Sequence, residues 1–156
     1  YKKSLSSNSN PYTPAVNLFF ALDESLKMMK DEGLDAIFKR HKRHKLAVSD
    51  AAKTLNLKLF ADEKHLSPSV TAIQIEDIDA EKFRKTIKNK YDILLAGGQD
   101  HLKGKIFRVG HLGYINDRDI ISVIAAIGNT LVELNKISTD KVGEALKIAS
   151  LNLTIA

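Results

Sequence analysis

The chain has 156 residues, 44% of them hydrophobic and 28% charged, enough for one compact domain with a true core but too few for two full domains. Cysteine is absent, which excludes disulfides, a thiol nucleophile and thiolate-held zinc or iron–sulfur centres, and no apolar run approaches the ~20 residues a membrane span needs. The formal net charge of +5 leaves an anionic partner open, and the polar opening carries no hydrophobic region of a secretory signal, so a soluble cytoplasmic protein is expected.

The first residue is Tyr1 rather than Met, and the chain is read as a fragment. Residues 2–10 are polar and serine-rich, end at Pro11, and predict an extended loop or linker. Thr13 and Pro14 then read as N-cap and first helical residue. The helix should run over 14–32, with Val16, Leu18, Phe19, Leu22, Leu26 and Met29 as its apolar stripe and Gly33 as its stop. A second helix is predicted over 34–55, its inner face made by Leu34, Ile37, Phe38, Val48, Ala51, Ala52 and Leu55.

The pattern next turns strand-like at 57–60 and, beyond Ser67-Pro68-Ser69, at 70–75. Asp79 should cap a helix that turns Phe83, Ile87 and Tyr91 inward, followed by strands at 93–96 and 106–109 on either side of Gly97-Gly98. Asn116, with Asp119 three residues on, makes a capping arrangement before Ile120, Ile124, Ile127 and Leu131, and a last helix is predicted over 139–149. The order predicts an α+β domain: a small, mainly antiparallel sheet with helices packed on one face, preceded by a long connecting helix.

Several residue groups invite a chemical role. Lys39-Arg40-His41-Lys42-Arg43-His44-Lys45 clusters cations as a phosphate-binding surface would. Helical geometry spreads such a run around nearly two turns, and no aromatic platform interleaves with it, so a solvated helix face is the plainer reading. His41 falls on the apolar stripe and reads as a hydrogen-bonded packing histidine. His41 and His44 could chelate a metal together, but no third ligand is suitably spaced, and no metal site is expected. No nucleophile elbow, phosphate loop or dinucleotide fingerprint occurs.

Two places carry purposeful local chemistry. At Asn10-Pro11-Tyr12-Thr13-Pro14 a hydroxyl meets the positive end of a helix, which suits a phosphate and equally a plain N-cap. Arg108 alternates with Phe107 and Val109 on a short apolar strand, where its planar fork suits a carboxylate; the pattern alone leaves open a structural ion pair.

These residues also carry a resemblance. Pro11-Tyr12-Thr13-Pro14-Ala15, then Tyr91-Asp92-Ile93-Leu94-Leu95-Ala96-Gly97-Gly98, then Gly104-Lys105-Ile106-Phe107-Arg108-Val109-Gly110-His111-Leu112-Gly113 resemble, in order, class V aminotransferases of the alanine–glyoxylate and serine–glyoxylate (serine–pyruvate) group. The resemblance implies the C-terminal portion of a fold type I enzyme dependent on pyridoxal 5'-phosphate. Residues 1–32 would then be the end of the large domain and its bridging helix, and residues 33–156 the small domain.

It further implies a homodimer in which Thr13 reaches the cofactor phosphate of the neighbouring subunit, and Arg108 as the binder of the substrate carboxylate. The family's cofactor-bearing lysine and the aspartate that pairs with the pyridine nitrogen lie upstream of the matching segment. No lysine here takes a catalytic role, and the piece alone should be inactive. Asn10 stands where some relatives place a phosphate-contacting tyrosine, so Thr13 alone is kept as a cofactor contact. The resemblance also places Gly97-Gly98 near Arg108, where small residues would leave the site uncrowded; a hairpin turn explains them as well. Some relatives bear the name of a soluble hydrogenase subunit, which a chain without cysteine does not fit. A noncatalytic basic anion- or nucleic-acid-binding module built on 39–45 is the alternative from another class, and a cysteine desulfurase or lyase the alternative within the same fold.

Overall fold

A computed structural model describes residues 2–155. The described chain forms α1 (Lys2–Ser6), α2 (Val16–Glu32), α3 (Leu34–Thr54), β1 (Lys58–Leu59), β2 (Val70–Gln74), α4 (Ala80–Tyr91), β3 (Ala96–Gly97), β4 (Ile106–Gly110), α5 (Asp117–Glu133) and α6 (Thr139–Leu153). It divides into two compact units, Tyr1–Phe38 and Lys39–Ala156.

In the first unit the opening is not a plain loop. Residues 2–6 make one helical turn because serine hydroxyls bond back to its carbonyls, with Ser6 Oγ 2.8 Å and Ser7 Oγ 3.1 Å from the Lys3 oxygen. The next helix begins later than the Thr13-Pro14 signal predicts. Ala15 has φ −76° and ψ 70°, and Val16 N–H donates to the Pro14 carbonyl at 2.9 Å, an inverse γ-turn that spends the Pro14 carbonyl before the helix starts. Thr13 is therefore not the N-cap, and no side chain caps α2. Gly33 stops α2 with φ 83° and its N–H on the Met29 carbonyl, a conformation that glycine adopts without penalty. Leu34 and Phe38, expected inside, are 55% and 64% exposed.

The second unit holds the core. Its sheet runs β1-β2-β4-β3, antiparallel throughout, so the two five-residue strands are central and the two-residue strands form the edges. Thr71 and Ile73 lie opposite Val109 and Phe107, and all four are buried on the face covered by helices. Val48, Ala51, Ala52 and Leu55 of the α3 region, Phe83 and Ile87 of α4, Ile120, Ile124, Ile127 and Leu131 of α5, and Val142, Ala145 and Ala149 of α6 complete the same cluster. The Phe83 and Phe107 rings meet at 5.2 Å and 38°. Each such buried large side chain contributes about 1.5–3 kcal/mol.

Two caps are as the spacing predicts. Asp79 accepts from the N–H groups of Glu81 and Lys82, and Asn116 and Asp119 form a reciprocal capping box on α5. One strand is not: only Ala96 and Gly97 pair, not 93–96. The Leu95 carbonyl, which the register turns away from β4, accepts instead from Arg84 Nε of α4 at 2.7 Å.

Candidate carboxylate and anion site

Arg108 sits mid-strand in β4, with Ala72 of β2 and Ala96 of β3 as its register partners. Alternation along β4 puts Phe107 and Val109 into the core and Arg108 on the opposite face, where it is half-buried. Methyl groups on both sides leave its guanidinium unobstructed. Its Nε donates to the Gly97 carbonyl at 3.0 Å, and among the described residues neither terminal nitrogen has a partner and no carboxylate pairs with it. A structural ion pair, which the sequence pattern left open, is not made. What remains is a planar, always-charged donor pair held by its third nitrogen, the arrangement that receives a carboxylate through two parallel hydrogen bonds.

The neighbouring glycines meet other parts of the chain closely. A Cβ on Gly98 would lie 2.1 Å from the Leu102 carbonyl oxygen, a backbone contact that requires a glycine there, whereas one on Gly97 would meet only the mobile ends of the Arg84 and Glu81 side chains, each at 2.5 Å.

Thr13 belongs to the other unit. It is exposed, and its hydroxyl bonds to nothing among the described residues. It precedes a helix whose N-terminus no side chain caps; the Val16 and Leu18 N–H groups are taken by the Pro14 and Ala15 carbonyls, which leaves the Asn17 N–H and the positive helix end near the Thr13 hydroxyl in the sequence. Those donors fit an external phosphate. Cavities of about 350 Å³ beside Lys58 and Lys136 and about 210 Å³ beside Asp119 are lined by neither residue.

The basic run divides in a way that periodicity did not reveal. Arg40 Nη1 donates to the carbonyls of Gly113 at 2.8 Å and Ile115 at 3.1 Å. Arg43 Nη2 lies 3.3 Å and His44 Nε2 2.7 Å from the same Asp117 carboxylate oxygen. The buried packing histidine is therefore His44, fully enclosed, and not His41, which is partly exposed. Burial pushes the His44 imidazole below its ordinary pKa, against the opposing pull of Asp117. Burial likewise raises the Asp117 carboxyl, but the His44 hydrogen bond and the Arg43 charge outweigh it and hold the group below the usual range. Much of the run thus ties α3 to the loop and helix start at 113–117. His41 and His44 do not converge on a metal: among the described residues no group of three or more metal-ligating side chains forms. No described helix is long and apolar enough to cross a membrane.

Comparison with known proteins adds a second line. No protein-family model matches the chain. It is 50% identical over 134 residues to a protein of Synechococcus named soluble hydrogenase, small subunit, covering 86% of this chain and 35% of that one. It is 32% identical over 142 residues to the (S)-ureidoglycine–glyoxylate transaminase of Bacillus subtilis, covering 90% of this chain and 34% of the relative. The crystal structure of a ureidoglycine–glyoxylate aminotransferase from Bacillus subtilis superposes with a TM-score of 0.82 at 30% identity, over 90% of this chain and 37% of that one. The chain thus spans about a third of the length of the curated relatives it matches.

Proposed function

We propose, from the premise that the chain belongs to the class V aminotransferases and matches their C-terminal small domain, that it is the substrate-binding part of a pyridoxal-phosphate transaminase. In this reading an amino acid of alanine or serine type gives its amino group to a 2-oxo acid such as glyoxylate or pyruvate. Residues 1–32 are then the end of the large domain and its connecting helix, and residues 33–156 the small domain. The glyoxylate acceptor named for the Bacillus subtilis relative supports the acceptor class.

The observation that carries the reading is the state of Arg108: half-buried, steered by the Gly97 carbonyl, and with both terminal nitrogens unclaimed by the protein. A carboxylate is what amino acids and 2-oxo acids share, so one fork can serve both halves of a transamination. Gripping it in two bonds fixes the direction of the α-carbon bonds and presents the α-proton in one orientation to a base outside this chain. Pyridoxal phosphate, when bound, supplies the electron sink for breaking that bond. Thr13 fits its phosphate, since its hydroxyl and the Asn17 N–H at the side-chain-uncapped start of α2 are donors that an anion satisfies. In the homodimer, Thr13 serves the neighbouring subunit's cofactor. No lysine of this chain is assigned to hold the cofactor. The hydrogenase name of the Synechococcus relative does not describe the chemistry of these residues, which include no cysteine thiolate to offer nickel, iron or a cluster.

The test is Arg108→Ala in the complete enzyme. Charged hydrogen bonds contribute about 1.5–3 kcal/mol each, so kcat/KM should fall roughly a hundredfold or more for amino and oxo acids alike. Arg108→Lys should restore part of it, keeping the charge but losing the fork. The cofactor absorbance of both variants should match the parent. Near-normal kcat/KM in Arg108→Ala would overturn the carboxylate role.

A further inference from the structure

We propose that Arg84 on α4 is a positioning residue for Arg108, setting the direction of its guanidinium through the backbone of β3. This rests on the carboxylate-binding role of Arg108 argued above.

The geometry is a relay of four contacts among five residues. Glu81 Oε2 accepts from Arg84 Nη1 at 2.7 Å, which locks the Arg84 fork on the helix surface. Arg84 Nε then donates to the Leu95 carbonyl at 2.7 Å. The same fork lies flush against the next turn of chain, since a Cβ on Gly97 would stand 2.5 Å from Nη1 and 3.1 Å from Cζ. Finally the Gly97 carbonyl accepts from Arg108 Nε at 3.0 Å. The strand that carries this carbonyl has only two residues and sits at the sheet edge, paired to β4 at Ala96 and Gly97 with one further bond from the Gly98 N–H to the Ile106 carbonyl at 3.2 Å. A two-residue edge strand is weakly located by its own ladder. Arg84 supplies the second support from the side away from β4, and with it the position of the single acceptor that orients Arg108.

Arg84 touches neither substrate nor cofactor in this scheme. Its effect is confined to where the two terminal nitrogens of Arg108 point, so its loss should appear in the Michaelis constants of both carboxylate substrates and not in the cofactor.

Two measurements test it. In the isotope-labelled 156-residue chain, the Arg108 Nε–H resonance should exchange slowly with water, and Arg84→Ala should release it to fast exchange while the melt stays cooperative. In the complete enzyme, Arg84→Ala should raise KM for the amino and oxo acids about tenfold, change kcat by less than about threefold, and leave cofactor affinity and absorbance as they were. Arg84→Lys should fall between the two, because one ammonium cannot serve Leu95 and Glu81 in the plane that the fork spans. It also substitutes for the alanine variant should that fail to fold. A protected Nε–H with unchanged KM, and only a lowered melting temperature, would overturn the proposal and leave Arg84 a structural strap. Arg108→Ala, run in parallel, separates the two ideas. If it impairs turnover and Arg84→Ala does not, only the relay fails; if Arg108→Ala leaves KM and kcat untouched, the carboxylate reading fails and the exchange measurement still decides the geometry.

Discussion

His111 and Arg108 show at the residue scale how the partners within reach set the chemistry of a side chain. His111 is fully buried, with Nδ1 3.0 Å from the Pro68 carbonyl and Nε2 2.9 Å from the Thr71 hydroxyl. A carbonyl can only accept, so Nδ1 carries the proton and Nε2 accepts from Thr71. Burial is the main reason its pKa is pushed down to about 4. The folded state then refuses a proton that the unfolded chain takes up near pH 6.5. Stability from this group is present above pH 6.5 and lost as pH falls from there toward 4, by about 3 kcal/mol in all. Urea unfolding across that range should show the loss, and His111→Gln should flatten the slope between pH 6.5 and 4.5. Parallel slopes for the two proteins would remove His111 as the cause. His44 titrates in the same direction, since burial also lowers its pKa.

At the scale of elements, the starts and stops that proved readable are those decided within a few residues. Asn116 is an example: its side chain accepts from Arg118 and Asp119, and Asp119 answers on the Asn116 N–H at 2.9 Å. Asn116→Ala should cost about 1 kcal/mol in a denaturant titration, with the m-value unchanged; a neutral substitution would mean that solvent caps α5 equally well. The Thr13-Pro14 signal failed although it is as local, because a backbone γ-turn at Ala15 competes for the same carbonyl. The strand expected at 93–96 pairs only at Ala96 and Gly97, and the Leu95 carbonyl finds its donor eleven residues away in Arg84. Gly98 was visible as a small residue, yet the approach of the Leu102 backbone that requires it was not.

For the molecule as a whole, α2 is the telling element. None of its residues is buried, and Phe19, Phe20 and Leu22 are 63%, 70% and 53% exposed. Such a helix leaves apolar side chains for a further surface to cover, and the chain matches about a third of each relative's length. The chain mixed with pyridoxal phosphate at neutral pH should therefore give no saturable, stoichiometric absorbance change and no transamination. Stoichiometric binding with turnover would sink the view that the cofactor-bearing lysine lies elsewhere.

The sequence by itself determined the α+β class, the order of most elements, two of the caps, the family, and Arg108 and Thr13 as candidates. Hydrophobic period and capping act over one to four residues, and ordered motifs survive as strings. Only the tertiary structure decided which cations of 39–45 are engaged and which histidine is enclosed. It also decided that Arg108 has a carbonyl and no carboxylate for a partner. Those outcomes depend on groups such as Arg40 and Gly113, or His44 and Asp117, 73 residues apart in each case. Chain periodicity carries no record of that distance; packing alone brings such groups within reach.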